Sequence, residues 1–305
     1  ITHDMQGRLC LGAVLLLADG QSIVTRLERG DPSVLGHRND TFLLHARGQG
    51  NGIGLVEAEL ALGHEGTAHH EVVGVLRQRE AAVTDIGVSA FNGCSSLTSF
   101  AFSDGLVSIG ERAFYNCDGL TELVLPEGID SIGGRAFYDC NNLTSATVGS
   151  TATSIGQYAF GQCNNLTELT IPFVGGTPDD GNNLSYVFGD QWNMPQSLRK
   201  VTVTDSTTVK PYAFQSLQYV EEIVYTQDVT EIGNYAFESC TALKRVELGD
   251  AIETIGSYSF SNCYALKSFT IHAGCQSVGN YAFMSCYALY EVYNDSDLTF
   301  AEWDM

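Results

Sequence analysis

Apolar residues recur along most of this chain in a fixed order. One copy reads Ile109-Gly110, Ala113-Phe114, Cys117, Leu120, Leu123 and Leu125. Another reads Ile232-Gly233, Ala236-Phe237, Cys240, Leu243, Val246 and Leu248. The phenylalanine is the clearest marker. Phe91, Phe114, Phe137, Phe160, Phe188, Phe214, Phe237, Phe260 and Phe283 follow one another in steps of 23, 23, 23, 28, 26, 23, 23 and 23 residues. A period of this length marks a stacked repeat array rather than one globular core.

Each unit predicts three local pieces. The stretch from Leu120 to Leu125 alternates at its end and predicts a short strand. Ile132-Gly133 predicts a bend, with glycine supplying a backbone geometry that other residues resist. Residues 134–140 are long enough for one or two helical turns, and Asn141-Asn142 is turn chemistry leading back to the next strand. One unit cannot bury its apolar side alone, so stacking is required. A buried Phe contributes about 1.5–3 kcal/mol by transfer, which makes the column of nine the expected spine. Two stretches depart from the period. Residues 173–183 lengthen the connection from strand to turn, and residues 190–197 lengthen the return. Phe188 and Leu198 stay in register, so the array is expected to continue with a loop bulging from its side.

Composition divides the 305 residues sharply. Residues 1–80 hold 10 Asp/Glu and 7 Arg, six of the seven His, and no Lys, Tyr or Trp. Residues 81–305 hold 26 Asp/Glu, 8 Lys/Arg and all fourteen Tyr. The expected organisation is an N-terminal segment, 1–80, and a solenoid of about nine units, 81–305. The segment reads either as a cap or separate domain, or as sequence that is not a native folded part. The chain reads as a fragment of a longer protein. A formal net charge of −21 argues against nucleic acid and against anionic membrane surfaces as partners. No apolar run reaches the roughly 18 residues that a membrane helix requires.

Seven of the nine cysteines share one repeat position: Cys94, Cys117, Cys140, Cys163, Cys240, Cys263 and Cys286. A disulfide framework, a metal site and a ladder of buried free thiols are the three readings. Zinc sites use close pairs, which this spacing lacks, and neighbouring units are expected to hold the Cα atoms too far apart for a disulfide. Leu217 fills the same position in one unit, as a small apolar packing role explains. Cys10 and Cys275 fall outside the ladder.

The pattern I-G-x-x-A-F-x-x-C-x-x-L-x-x-h-x-h, with h apolar, resembles the BspA-like leucine-rich repeats over about residues 83–293. The resemblance implies an α/β repeat solenoid, with parallel strands on the concave face and short helical turns on the convex side. It implies a cell-surface or extracellular location and adhesion to a host extracellular protein or glycan. It implies no catalytic residue, cofactor or metal. The ligand-facing positions are then the outward ones of each strand: Glu122 and Val124, Ser145 and Thr147, Glu168 and Thr170, Lys200 and Thr202, Glu222 and Val224, Arg245 and Glu247, Ser268 and Thr270. Ser99, Ala101, Glu291 and Tyr293 extend the stripe at its ends. It is rich in hydroxyls and poor in aromatics, so weak, multivalent binding is expected. Alternatives are a targeting arm of a larger enzyme, or a structural spacer.

Other candidates are weaker. Tyr158, Tyr212, Tyr235, Tyr258 and Tyr281 each lie two residues before a repeat Phe and form either an interface row or packing between units. Asp179, Asp180 and Asp190, with Trp192, lack the ligand spacing of a Ca²⁺ loop. Gly48, Gly50, Gly52 and Gly54 lack the Lys-Ser/Thr of a phosphate loop, and His64-Glu65 with His69-His70 has one residue too many for a zinc-protease helix. Leu9–Ala18 reads as a buried strand rather than a signal segment.

Overall fold

A computed structural model of the chain describes residues 83–190 and 193–299, and of residues 1–82 only the backbone of five strand segments. The chain forms two compact units, 1–166 and 167–305. In each, the described residues from 83 onward stack as repeats with the same three-sided cross-section.

In the first unit one side is a parallel ladder in which Glu122–Val124 pairs with Ser145–Thr147, residue for residue at the repeat step. Leu97–Ala101 runs parallel to the strand Val72–Gln78. The second side is a ladder of short strands, Val83–Ile86, Ser108–Ile109, Ser131–Ile132 and Ser154–Ile155, also parallel and in register. In the second unit the long ladder runs through Glu168–Ile171, Lys200–Val203, Glu222–Tyr225 and Arg245–Glu247. Ser268–Ile271 pairs likewise with Glu291–Asn294. The short ladder there runs through Thr208–Val209, Glu231–Ile232, Thr254–Ile255 and Ser277–Val278. Lys200 pairs with Glu168 on one side and Glu222 on the other. The irregular repeats therefore absorb their extra residues outside the strands.

The third side carries the Phe residues and differs from the expected helical turns. The one described helix is a single turn, Ser185–Phe188. Elsewhere the segment is a run of β-turns with a left-handed residue two positions before and two after the Phe. Arg112 (φ 55°) and Asn116 (φ 56°) flank Phe114; Tyr235 (φ 59°) and Ser239 (φ 61°) flank Phe237. A left-handed residue cannot be continued as a right-handed helix, and each costs about 1–2 kcal/mol for a non-glycine side chain. The compensation is a third backbone ladder. The amides of Arg112, Phe114 and Asn116 donate to the carbonyls of Gly134, Ala136 and Tyr138, at 3.1, 2.7 and 2.8 Å. Those of Tyr235, Phe237 and Ser239 donate in the same way to Ser257, Ser259 and Ser261. The right-handed alternative would turn these donors away from the next repeat.

The Ile-Gly bend also has a different cause from the expected one. None of the repeat glycines there has a positive φ. A Cβ on Gly133 would instead lie 2.4 Å from the backbone nitrogen of Glu111, and one on Gly256 2.5 Å from that of Asn234. Glycine is required because adjacent backbones nearly touch beside the short ladder.

Inside, the Phe rings stack as columns. Phe91, Phe114, Phe137 and Phe160 follow at centroid separations of 4.9, 5.2 and 5.7 Å. In the second unit Phe214, Phe237, Phe260 and Phe283 follow at 5.3, 4.8 and 5.2 Å. The cysteines of the ladder are free thiols and do more than fill space. The Sγ atoms of Cys117, Cys140, Cys163, Cys240, Cys263 and Cys286 each donate to the Phe carbonyl of the preceding repeat, as Cys140 to Phe114 at 3.2 Å and Cys240 to Phe214 at 3.0 Å. Burial pushes the Cys140 and Cys240 thiols up to about 12. Cys275 is in register after all. It is buried in the position that Ile129, Val229 and Ile252 hold in other repeats. Among the described residues no helix is long and apolar enough to cross a membrane.

Candidate functional site

The outward side of each long ladder is a surface built to a regular pattern and released from packing. The strand alternation places Glu122, Val124, Ser145 and Thr147 outward in the first unit, around buried Leu123 and Ala146. In the second unit Glu168, Thr170, Lys200, Thr202, Glu222, Val224, Arg245, Glu247, Ser268 and Thr270 face outward, around Leu169, Val201, Ile223, Val246 and Phe269. All fourteen expected positions thus lie on the outer faces of the long ladders.

A further outward row escaped the alternation rule. The residue just after each opening Leu or Val lies before the strand proper, so it does not alternate with the strand. Thr121 and Thr144 hold this place in the first unit, and both are exposed. In the second unit Thr167, Arg199, Lys244, Lys267 and Tyr290 are exposed there, with Glu221 half-buried between Arg199 and Lys244. The sequence signal was the opening Leu itself, since the row is its immediate neighbour.

The two faces differ chemically. In the first unit Thr144 Oγ1 donates to the Thr121 carbonyl at 2.9 Å, and these rows carry no basic residue from Thr98 to Thr147. In the second unit the face is laced with ion pairs. Lys200 lies 3.6 Å from Glu222, and Arg245 lies 3.2 Å from Glu222 and bonds Glu247. Lys244 reaches Glu221 at 2.7 Å, and Arg199 stands 3.8 Å from it. The Lys244 hydrogen bond holds the Glu221 carboxyl below its ordinary range. Five of the eight Lys/Arg beyond residue 80 stand on this one face. A shallow groove beside it is lined by Lys244, Arg245, Phe269, Thr270 and His272.

The tyrosine row is partly stacking. Tyr212, Tyr235 and Tyr258 lie nearly parallel at 5.2 and 5.1 Å, with Tyr281 tilted at 5.1 Å from Tyr258. Their ring faces cover one another, and all four are left-handed residues. Tyr158 instead receives the Arg135 guanidinium over its ring at 4.9 Å.

The insertion is organised by an ion pair. Lys210 occupies the position that glycine holds in regular repeats. Its Nζ donates to the carbonyls of Val174, Thr177 and Asp180 at 3.0, 3.2 and 2.9 Å, and lies 3.7 Å from the Asp180 carboxylate. That carboxylate accepts from the amides of Gly176, Thr177 and Asn182. Burial acts to raise the Asp180 carboxyl, and the bonds from Asn182, Gly176 and Thr177 outweigh it, so its pKa is lowered. An ammonium therefore stands among the oxygens of this loop. Asp190 accepts from the Asn193 amide, and Trp192 lies outside the described residues. Among the described residues no group of His, Cys, Asp and Glu is arranged to hold a metal ion. The glycine run, the His64 to His70 cluster and Cys10 lie outside the described residues.

A family model for the BspA type leucine rich repeat region matches residues 79–175 and 193–304, in six copies. No curated protein matches the chain. Solved structures similar to it include a leucine rich cell surface protein from Faecalibacterium prausnitzii A2-165. That one is 21% identical over 70% of this chain and 69% of the other, with a TM-score of 0.30. The T. pallidum leucine rich repeat protein is 20% identical over 69% and 87%, with a TM-score of 0.38. The pneumococcal vaccine antigen PcpA is 19% identical over 71% and 67%, with a TM-score of 0.31.

Proposed function

The chain belongs to the BspA-type leucine-rich repeat family, and we propose that it is a non-catalytic, extracellular binding module that recognises a host protein or glycan. The outward rows of the long ladders are the binding surface. The observation that carries this reading is the division of labour within each strand. Leu123, Leu169, Val201 and Ile223 are fully committed to the interior, while their neighbours make no contribution to the core and vary in chemistry from repeat to repeat. Membership of this repeat family supports the location. Because the face is polar, single contacts are weak and affinity comes from many repeats engaged at once.

The test is a screen of the whole chain against extracellular-matrix proteins, plasma proteins and a glycan array, beside a charge-matched control protein. Saturable binding that weakens when Glu222, Arg245 and Glu247 are changed together is the expected outcome. Binding that ignores every outward substitution, or none even under multivalent display, contradicts the reading.

A further inference from the structure

The end of the second unit's face carries a combination found nowhere else among the described outward rows: exposed aromatics beside cations. Tyr290 is 72% and Tyr293 53% exposed. Tyr293 pairs with Thr270 across the ladder, and the Tyr290 amide donates to the Lys267 carbonyl at 3.1 Å. Lys267 is exposed and makes no ion pair among the described residues, whereas Lys244 and Arg245 are paired only with carboxylates at the surface. Exposed pairs of that kind contribute little to stability, so a ligand's anion can replace a carboxylate at small cost.

Resting on the binding-module reading, we infer that this end of the face is a subsite for an acidic polysaccharide, one bearing carboxylate or sulfate groups. Three features converge on it. An exposed phenol offers a flat apolar surface with a polar tip, which suits the apolar face of a pyranose ring. Lys267, Lys244 and Arg245 supply the countercharge, with Arg245 able to grip a carboxylate or sulfate through two parallel bonds. Glu291, Ser268 and Thr270, outward on the same two strands, supply partners for sugar hydroxyls. The overall charge of −21 does not forbid this, because charges beyond about 8 Å are largely screened at physiological salt. Locally Lys244, Arg245 and Lys267 stand among Glu221, Glu222, Glu247 and Glu291, so an anion is admitted here by taking the cations from surface carboxylates rather than by a net positive field.

The experiment titrates the whole chain against immobilised heparin, polygalacturonate and uncharged dextran at physiological salt, with a panel of matrix proteins as a separate arm. The expected result is saturable binding to at least one acidic polysaccharide and none to dextran. Tyr290→Ala with Tyr293→Ala weakens it by about tenfold or more, and Lys244→Glu with Lys267→Glu abolishes it, with melting curves unchanged. Three results overturn the inference: no binding to either acidic polymer, equal binding to dextran, or binding that survives loss of both tyrosines, which is ion exchange alone. Saturable binding to a matrix protein through Glu222, Arg245 and Glu247, without polysaccharide binding, overturns it while leaving the binding module standing. Silence in both arms overturns both.

Discussion

The first unit and the second are built on the same interior and differ in the chemistry of their outer rows. Phe114 on Phe137 and Phe237 on Phe260 stack at 5.2 and 4.8 Å, and Cys140 and Cys263 make the same bond to the Phe carbonyl of the repeat before. The outer rows of the first unit hold Thr, Ser, Glu, Val and Ala; those of the second share Thr, Ser, Glu and Val and add Arg, Lys and finally Tyr. The interior is dictated by stacking, since every position must match the repeat above and below. The outer rows answer to nothing inside the molecule, so their divergence is where selection for a partner has room to act.

The largest expected effect tests whether the interiors are in fact equivalent. Phe137→Ala and Phe237→Ala each remove a fully buried ring from the middle of a column, and each should cost about 3–5 kcal/mol in denaturant unfolding. Ser145→Ala on the outer face should stay within about 0.5 kcal/mol. A loss below 1 kcal/mol, on the scale of a surface change, at either Phe would mean that column is not a spine.

Next comes the close approach beside the short ladders. Gly133→Ala and Gly256→Ala place a Cβ 2.4 and 2.5 Å from backbone nitrogens of the preceding repeat. Backbones must then part, at a cost of about 1–3 kcal/mol, as for other overpacked sites. The same substitution at exposed Gly181, where a Cβ meets nothing within 4 Å, is the control. Equal effects at all three sites would show that chain flexibility, not contact, explains the repeat glycines.

A smaller effect separates the insertion from the regular repeats. Lys210→Ala removes the ammonium from three loop carbonyls, so residues 173–183 should become the first site of limited proteolysis. Acid should act in the same direction. The Asp180 carboxyl is depressed in the folded chain, so its contribution is present above the unfolded carboxyl pKa, near 3.9. It is lost as pH falls through the lower folded value. Cleavage elsewhere first, at both neutral and low pH, would refute the role of Lys210 and Asp180 in holding the insertion.

Much of this fold is legible in the sequence because stacking makes the interior repetitive. Phe, Cys and Leu recur at one step, and the ladder of free thiols follows from the same spacing. The turns were less legible. Tyr235 and Arg112 are not residue types that advertise a left-handed backbone, so the segment around each Phe resembles a short helix until the amides of one repeat meet the carbonyls of the next. Glycine poses the same difficulty. Gly133 is required by a neighbouring backbone, and a sequence does not distinguish that need from a positive φ. Lys210 stands in register at a glycine position, and its partners were not legible, since they belong to an insertion with no period. On the outer face, alternation correctly finds Glu222 and Arg245. It misses Lys267 and Tyr290, which precede the strand and so escape its period.

The comparison between the two faces is tested most directly by one paired titration. The whole chain is bound to whichever ligand the screen yields, beside two variants: Glu222, Arg245 and Glu247 changed to Ala, and Glu122, Ser145 and Thr147 changed to Ala. Loss of at least about tenfold in affinity in the first variant, with a smaller loss in the second, is the predicted result. Loss confined to the second variant, or equal binding by all three proteins, would contradict recognition through the outward rows with the charged face as its main part.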